Sequence, residues 1–482
     1  MAFLIGGANT LRDTGYEISN SLRFSADTDL KRLPSATGQS VKGTLSVWVK
    51  FGTPDTEMAI IGGFDNSGAN DNDGYFVFKR LADGNLQFEG GDNVYLETTA
   101  LFRDCTAWYH IVLAIDSGNA TAAQKQRIYV NGVEITAFDT RNNLTNLQDL
   151  PMNTTAGNDD ALLIGCDEDT GGKGLFFDGY MSEFYWIDQN QYAASDFGEY
   201  NDDGIWIPKE FAGSFGVNGV FLQFKETGTS ANASGMGADT GGSTLHFTVT
   251  NLTAVDVCVD TPTNNFATMS PHYKSTSGAT NRPIITEGMT KVTNHASGDS
   301  STLSTIGLAK GRWYFEAKYS KSPDDAQNFP TIGWAKNGNH NDGSFVGINT
   351  KDGTNFRGRA GTTVIANAFD GVPAANDIMG HYIDLDNETL TVHINGSEFH
   401  QTAASSIDFS GSTFTEDTGF FQVRYNSNTN VAHFVEFNFG NPNFALSSAL
   451  SDANGYGDFE FNPTLGGTDY YAVCTQNVAV YG

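Results

Sequence analysis

The stretch GRWYFEAKYS at residues 311–320 has the side-chain alternation of a half-buried β-strand. Trp313, Phe315 and Ala317 alternate with polar or amphipathic neighbours, a period of two that places them on one face. PTIGWAK at 330–336 and FVEFNFGNPNF at 434–444 continue the same pattern. This region therefore predicts strands of a sheet with one face against a core.

Turn signals join these strands into hairpins. YIDLDNETLTVHINGSEFH at 382–400 contains an Asp-Leu-Asp-Asn turn at 384–387 and an Asn395-Gly396 pair, a strong signal for a tight hairpin. The ordered set, from about residue 258 to the end, resembles a SPRY domain. That resemblance implies a two-sheet sandwich used for binding rather than for chemistry.

The first half carries a second series of strand patterns. GTLSVWVKFG at 43–52 alternates Leu45, Val47 and Val49 with polar or larger residues, and AWYHIVLAID at 107–116 and RIYVNGVEIT at 127–136 follow it. GLFFDGYMSEFYWID at 174–188 comes last. This succession resembles the laminin-G-like branch of the concanavalin-like sandwiches. The predicted fold class is all-β: two concanavalin-like antiparallel β-sandwiches in tandem.

The 482 residues divide into four predicted parts. Residues 1–15 form an N-terminal docking arm, 16–225 the laminin-G-like sandwich, 226–259 a Gly/Ser-rich linker with a short β connector, and 260–482 the SPRY-like sandwich. The linker prediction depends on the low-complexity stretch ETGTSANASGMGADTGG. In the arm, Phe3, Leu4 and Ile5 are the predicted assembly contacts, because an apolar arm usually docks against a neighbour.

Composition limits the function classes. The formal net charge is −29, with 27 basic and 56 acidic residues, which argues against nucleic acid and anionic membranes as partners. The start lacks the basic n-region of a signal peptide, and no apolar run approaches the length of a membrane span, so we expect cytoplasmic synthesis and no membrane insertion. Four cysteines without CxxC spacing are expected to be buried free thiols.

Three segments together suggest a biological context. FGVNGVF at 215–221, DTPTNNFAT at 260–268 and GRWYF at 311–315 resemble virion proteins of tailed phages. The resemblance implies a non-catalytic protein at the virion surface, of the tail-fibre or receptor-binding type, that recognises a host-surface glycan or protein. Other virion proteins and further copies of the chain would be its partners. A capsid decoration or head-fibre protein is the alternative.

A polysaccharide-active enzyme is a further alternative, because concanavalin-like sandwiches include retaining glucanases. These need two carboxylates on one strand face, usually as Glu-x-Asp-x-x-Glu, and no Glu of this chain has Asp two residues later. Asp178 and Glu183 are five residues apart, which puts them on opposite faces of a regular strand. His110 is interpreted as a sandwich residue and Cys105 as a buried thiol. The chain is predicted not to be an enzyme.

Calcium is the one predicted cofactor. Asp65, Asn70, Asp71 and Asp73 in the loop at 63–75 offer oxygen ligands of the kind that calcium prefers, and laminin-G-like domains often hold calcium in such loops. Acidic loops at 157–160 and 166–172 add carboxylates. The alternative is that these Asn, Asp and Gly residues only form turns.

Aromatic residues near turn signals are candidates for stacking on a glycan. Trp186, Tyr192, Trp206 and Tyr425 are the predicted glycan contacts, whereas Trp48 and Trp313, on strands, are expected in the core.

Overall fold

The structure is a computed structural model that describes residues 4–5, 15–65, 74–91, 93–153, 160–169, 171–273, 281–295, 300–320, 330–336, 345–350, 356–360, 363–365, 373–398, 407–409, 418–425 and 433–482. It divides into two compact units. One is Arg12–Thr263, and the other combines Met1–Leu11 with Asn264–Gly482. Each unit is built on two antiparallel sheets, so the predicted all-β, concanavalin-like sandwich class is confirmed.

Two sheets, here named sheet I and sheet II, form the first sandwich. Across sheet I the strands are Val133–Glu134, Gln126–Val130, Tyr109–Asp116, Lys42–Phe51, Gly179–Asp188, Ser21–Phe24 and Val257–Cys258, with Val220–Leu222 also paired to Gly179–Asp188. Across sheet II they are Phe138–Arg141, Asn93–Leu101, Asn85–Gly90, Tyr75–Arg80, Met58–Asp65, Asp160–Ile164, Asp29–Arg32 and Thr248–Thr250.

Strand alternation places the core of the first sandwich between these sheets. Leu45, Val47 and Val49 from sheet I are fully buried and pack in one cluster with Phe76 and Phe78 from sheet II. The intervening residues of each strand point outward, as expected for side chains with a period of two. The outer faces of both sheets therefore carry the remaining side chains. These outward side chains are the ones that a ligand could contact.

The second sandwich also has two sheets, here named sheet III and sheet IV. Sheet III runs Ile284–Thr286, Lys291–Thr293, Phe434–Asn438, Arg312–Tyr319, Ile378–Asp384, Thr389–Ile394 and Ser397–Glu398, with Ile407–Asp408 and Tyr471–Ala472 paired beside it. Sheet IV runs Ser300–Leu303, Gly419–Tyr425, Pro330–Lys336, Phe345–Thr350, Phe356–Ala360 and Thr363–Ile365. Trp313, Phe315 and Ala317 lie in the core of the second sandwich, as their alternation predicted.

Short elements complete the described chain. The two-stranded pairs are Leu4–Ile5 with Ile306–Gly307, Asp167–Asp169 with Gly172–Gly174, Gly198–Tyr200 with Trp206–Pro208, and Thr464–Leu465 with Thr468–Asp469. The helical elements are the 3-10 turns Ala122–Gln124, Ala194–Asp196 and Ala254–Asp256 and the α-helix Thr475–Tyr481. Within the described residues, no helix has the length and apolarity that crossing a membrane requires.

A buried carboxylate attaches the C-terminal segment to sheet III. Glu316 is fully buried and accepts hydrogen bonds from the Asn438 side chain at 2.9 Å and from the backbone N–H groups of Glu460 and Phe461 at 3.1 and 2.8 Å. Tyr314 donates a further one at 3.0 Å. Burial raises the pKa of Glu316 despite these donors. The donors satisfy a group that would otherwise be costly to bury.

The structure places the predicted linker differently from the sequence interpretation. Within 226–259, Met236 and Phe247 are buried in the core of the first sandwich. Thr248–Thr250 pairs with Asp29–Arg32 at the edge of sheet II, and Val257–Cys258 pairs with Ser21–Phe24 at the edge of sheet I. This segment thus supplies an edge strand to each sheet, because its few apolar residues gain more by burial than a free linker would retain in chain entropy.

The predicted docking arm also has an internal partner. Leu4–Ile5 pairs in parallel with Ile306–Gly307 of the same chain. Phe3 lies outside the described residues. The role of Phe3, Leu4 and Ile5 in assembly stays a prediction.

A buried ion pair secures the end of the connector. Lys50 Nζ lies 2.8 Å from Asp260 Oδ2, and both side chains are completely buried. Trp108 donates an indole hydrogen bond to Asp260 Oδ1 at 3.1 Å, and Ser21 donates to the Asp260 carbonyl at 2.6 Å. Because Lys50 projects from the outer face of sheet I, this pair holds the chain after Val257–Cys258 against that face.

We expect Lys50→Met to destabilise the first sandwich by about 3–5 kcal/mol, because it leaves the buried Asp260 carboxylate without its cation. Lys42→Met is the matched control: Lys42 pairs with Asp116 at 2.9 Å but is 36% exposed, so its loss should cost about 1 kcal/mol or less. Urea denaturation followed by tryptophan fluorescence measures both. Equal midpoints for the two variants would contradict the role of the buried pair.

Candidate functional site

A cleft of about 570 Å³ opens on the outer face of sheet II. Its floor comes from the strands Met58–Asp65 and Tyr75–Arg80, and one wall is the hairpin Asp167–Asp169 with Gly172–Gly174. Apart from Leu175, the lining side chains are aromatic or charged, and glycines expose backbone between them. The non-glycine lining residues are Glu57, Phe64, Tyr75, Lys79, Glu89, Asp167, Asp169, Lys173 and Leu175.

Strand alternation sets the floor of the cleft. In Tyr75–Arg80, Phe76 and Phe78 enter the core, so Tyr75 and Lys79 project from the outer face. The Lys79 ammonium lies 2.8 Å from Glu57 Oε1 and 2.6 Å from Glu89 Oε1, and its side chain is 8% exposed. Burial lowers the pKa of Lys79, but the hydrogen bonds and charges of the two glutamates more than offset it, so the pKa is raised.

A glycine in the floor permits the wall to approach. A Cβ at Gly62 would lie 2.9 Å from the Cys166 carbonyl oxygen and 3.1 Å from the Asp167 Cα. Contacts this close to backbone atoms would push the hairpin away from the sheet. The absence of a side chain at Gly62 therefore positions Asp167 and Asp169 at the cleft, on the third acidic loop noted in the sequence.

Carboxylates dominate the charge of the cleft. Both lining lysines are already paired, Lys79 as described and Lys173 with the fully buried Asp29 at 2.7 and 2.8 Å. Burial, followed by the charge of Asp169, raises the pKa of Asp167, whereas Lys79 lowers it. The site is thus suited to a ligand with many hydrogen-bond donors and no negative charge, such as a polyhydroxylated molecule.

Most of the predicted calcium ligands lie outside the described residues, namely Asn70, Asp71 and Asp73. Asp65 ends the strand Met58–Asp65, where its backbone is the register partner of Asp160. Among the described residues, no group of three or more His, Cys, Asp or Glu side chains is arranged to hold a metal ion. Calcium binding by the loop at 63–75 stays a prediction.

The four predicted glycan contacts fall into two pairs. Trp186 and Tyr425 are core residues: Trp186 Nε1 donates to Asn153 at 3.0 Å, and the Tyr425 hydroxyl donates to the Val292 carbonyl at 2.7 Å. Because both side chains are buried, neither can contact a glycan in the folded protein. The prediction was wrong for these two residues because nearby turn signals do not determine which face of the sheet a strand residue occupies. Tyr192 and Trp206 are half-buried and pack over the outer face of sheet I.

Ser46 and His110 form a contact that resembles part of a catalytic triad. His110 Nε2 lies 2.8 Å from Ser46 Oγ, but Trp206 Nε1, which can only donate, lies 3.1 Å from His110 Nδ1. Nδ1 must therefore accept, so the neutral imidazole carries its proton on Nε2 and cannot remove the serine proton. Burial lowers the pKa of His110 to about 3, which keeps the ring neutral. The interpretation of His110 as a sandwich residue agrees with this geometry.

The cysteines are buried thiols. None of the four is part of a disulfide, as expected. Burial raises the pKa of Cys105 to about 12, although Arg80 opposes this shift. The reactive thiolate is therefore scarce at neutral pH.

The buried environment of the Glu183 carboxyl group on sheet I differs from that of a regular strand, which the sequence analysis assumed. Glu183 lies at a β-bulge in Gly179–Asp188, with a φ of 48°, and its Oε2 accepts hydrogen bonds from Tyr16 at 3.0 Å and Tyr185 at 2.8 Å. Burial raises the pKa of Glu183 to about 7, although the two tyrosine hydroxyls lower it. Regular strand alternation could not predict this environment, because the bulge interrupts the alternation.

We expect the stability of Glu183→Gln, measured relative to the wild type, to be greater at pH 8 than at pH 4.5. The folded-state pKa of Glu183 lies above its unfolded value, so ionisation costs stability as pH rises from about 4.5 through about 7. The difference between the variant and the wild type should grow by roughly 3 kcal/mol over that window. Urea titrations at several pH values measure it, and a pH-independent difference would contradict the assignment.

Comparison with known families places the first sandwich. Residues 25–191 match a laminin-G-type family model described as the concanavalin A-like lectin/glucanases superfamily. The chain therefore contains a laminin-G-like, concanavalin-like domain. The matched region spans most of sheets I and II, including the cleft. No curated protein sequence matches the chain significantly.

Several solved structures are similar to parts or most of the chain. A putative carbohydrate binding protein from Bacteroides ovatus is 16% identical over 48% of this chain and 58% of that one, with a TM-score of 0.34. The SPRY domain of human HERC1 is 12% identical over 35% of this chain and 96% of that one, with a TM-score of 0.26. Domains LG4-5 of the mouse laminin alpha1 chain are 10% identical over 96% and 89%, with a TM-score of 0.30.

Proposed function

We propose that this protein is a non-catalytic surface-recognition protein that binds a neutral glycan in the cleft on sheet II. The observation that carries the proposal is the combination in one cleft of half-buried aromatic rings, Phe64 and Tyr75, with outward carboxylates and with lysines already neutralised. Sugar hydroxyl groups donate hydrogen bonds that carboxylates accept, and the apolar faces of a pyranose ring stack on aromatic side chains.

Charge selects the kind of glycan. Four carboxylates and two lysines line the cleft, and both lysines are paired. An anionic sugar would meet uncompensated negative charge and would lose the hydration of its own carboxylate, a combination that disfavours binding. Neutral oligosaccharides avoid both costs. The net charge of −29 adds to the discrimination against acidic polymers at longer range.

The sequence and the ion pairs of the cleft support binding without hydrolysis. A glycosidase of the retaining type needs a pair of carboxyl groups, one as general acid and one as nucleophile, and the sequence lacks the Glu-x-Asp-x-x-Glu motif that usually supplies them. Glu57 and Glu89 both form ion pairs with the Lys79 ammonium, at 2.8 and 2.6 Å, which engages these two carboxylates within the protein. We therefore propose recognition rather than cleavage, in the context that the sequence resemblance implies: the surface of a tailed-phage particle, on a tail fibre or as a capsid decoration.

In that context the remaining partners would be other virion proteins and further copies of the chain. A glycan-binding first sandwich needs an attachment elsewhere, and the N-terminal residues 1–15 are the proposed attachment. Support comes from the residue pattern, with Phe3, Leu4 and Ile5 as an apolar segment near the start of the sequence.

We expect Asp167→Asn/Asp169→Asn to lower the affinity for a neutral oligosaccharide at least tenfold, because each carboxylate lost removes a charge-assisted hydrogen bond of about 1.5–3 kcal/mol. Titration calorimetry with cellohexaose, laminarihexaose and mannohexaose, and with hexagalacturonate as the anionic comparison, measures it. Asp83→Asn, at an exposed turn outside the cleft, is the control.

Three results would refute the proposed function. One is tighter binding of hexagalacturonate than of every neutral hexasaccharide, and another is equal affinity of the cleft variant and the control. The third is release of new reducing ends from a bound hexasaccharide by the wild type, which would replace recognition by hydrolysis.

A further inference from the structure

An exposed aromatic surface lies on the hairpin Gly198–Tyr200 with Trp206–Pro208, away from the cleft. Tyr200 is 52% exposed and Val133, at the adjacent hairpin, is 57% exposed. Trp206 lies beside Tyr200 with ring centroids 5.0 Å apart and an interplanar angle of 71°. We name the surface formed by Val133, Tyr200 and Trp206 the tyrosine platform.

The tyrosine platform is held in place by hydrogen bonds and close packing. The Tyr200 hydroxyl donates to the Asn131 carbonyl at 3.1 Å, and Trp206 Nε1 donates to the buried His110 at 3.1 Å. The indole also lies against Gly132 and Gly198, where an added Cβ would come within 2.4 and 2.5 Å of its ring atoms. The exposed Tyr200 ring is thus fixed at both its hydroxyl and its aromatic neighbour.

A fixed, exposed aromatic ring is suited to contact a ligand. Its conformational freedom is already lost in the free protein, so binding costs little further entropy. Tyr200 is 52% exposed to solvent, so its ring contributes little to the core. A core role for Tyr200 is therefore weak, whereas its open surface is available to a partner.

The polar groups around the platform determine which ligand fits. Asp202 and Asp203 are exposed in the turn that closes this hairpin, whereas Glu199, next to Tyr200 in the strand, projects to the opposite face. Carboxylates in such a turn accept hydroxyl donors from a ligand and repel anions. This is the same chemistry as in the cleft, an aromatic surface with adjoining carboxylates, at a separate place on the first sandwich.

We propose that the tyrosine platform is a second contact site for a neutral glycan, at which a pyranose ring stacks on Tyr200 while its hydroxyl groups donate to the neighbouring carboxylates. The inference rests on the proposed function and adds a second site to it. Two separate sites for one class of ligand would raise the affinity for a multivalent glycan surface beyond that of either site.

The experiment compares four proteins with the wild type: Tyr200→Ala, Tyr200→Phe, the cleft variant Asp167→Asn/Asp169→Asn, and Leu147→Ala. Leu147 is 60% exposed elsewhere on the first sandwich and serves as the control for removing an exposed apolar side chain. The probes are cellohexaose, laminarihexaose and mannohexaose. Saturation-transfer NMR with irradiation of the aromatic protons reports stacking, titration calorimetry reports affinity, and sedimentation velocity reports association of the protein.

We expect Tyr200→Ala to lose about tenfold in affinity for at least one hexasaccharide at the platform. It should also lose the part of the aromatic saturation transfer to the sugar protons that does not come from the cleft rings Phe64 and Tyr75. Tyr200→Phe keeps the aromatic face and should retain most of both signals. Leu147→Ala should match the wild type, and thermal melts of all variants should show that the fold persists. A loss in the cleft variant that leaves the residual platform signal intact would support two separate sites.

Other outcomes overturn the inference. If the cleft variant loses binding while Tyr200→Ala and Leu147→Ala behave alike, the platform does not contact glycan and the proposed function stands. If the wild type binds none of the three hexasaccharides, the proposed function fails and the platform proposal fails with it. If Tyr200→Ala instead abolishes a self-association of the wild type without changing sugar binding, the platform is a protein contact.

Discussion

The first sandwich depends on a buried charge pair that joins its last strand to its centre. Lys50 and Asp260 are removed from water completely, so each requires the other. Asp260 follows the edge strand Val257–Cys258, and Lys50 lies on the central strand Lys42–Phe51. The segment at 226–259 has the composition of a linker, but this pair attaches its end to the sandwich. The first compact unit accordingly ends at Thr263.

The outer faces of the two sheets have different coverings, and this difference creates the candidate sites. Over sheet I, an aromatic layer that includes Tyr192, Phe197 and Phe211 packs on the strands. Over sheet II, the short hairpin Asp167–Asp169 with Gly172–Gly174 covers only part of the face and leaves the cleft beside it. The small size of Gly62 sets how closely that hairpin approaches, so one position without a side chain shapes the wall of the cleft.

The direction of the hydrogen bonds shows that several buried polar groups in this fold are engaged in packing and are not arranged for catalysis. His110 is next to a serine, yet the indole donor on its other nitrogen assigns the tautomer that cannot act as a base. Glu183 has an elevated pKa, but its carboxyl group accepts hydrogen bonds from two tyrosine hydroxyls. The Glu316 carboxyl group accepts hydrogen bonds from four donors. These groups belong to the packing of the sandwiches, and the proposed recognition depends instead on the outward carboxylates and rings.

The amino-acid sequence by itself determined the strands and the all-β class, because alternation such as that of Leu45, Val47 and Val49 is a local property of consecutive residues. It also indicated the acidic loop at 166–172 that became a wall of the cleft. Tertiary structure alone decided which aromatic rings are exposed: Trp186 is in the core, whereas Tyr200, which no motif singled out, is open. The physical reason is that burial depends on what packs above each sheet face, and strand register, the bulge at Glu183 and contacts between residues far apart in sequence set that packing.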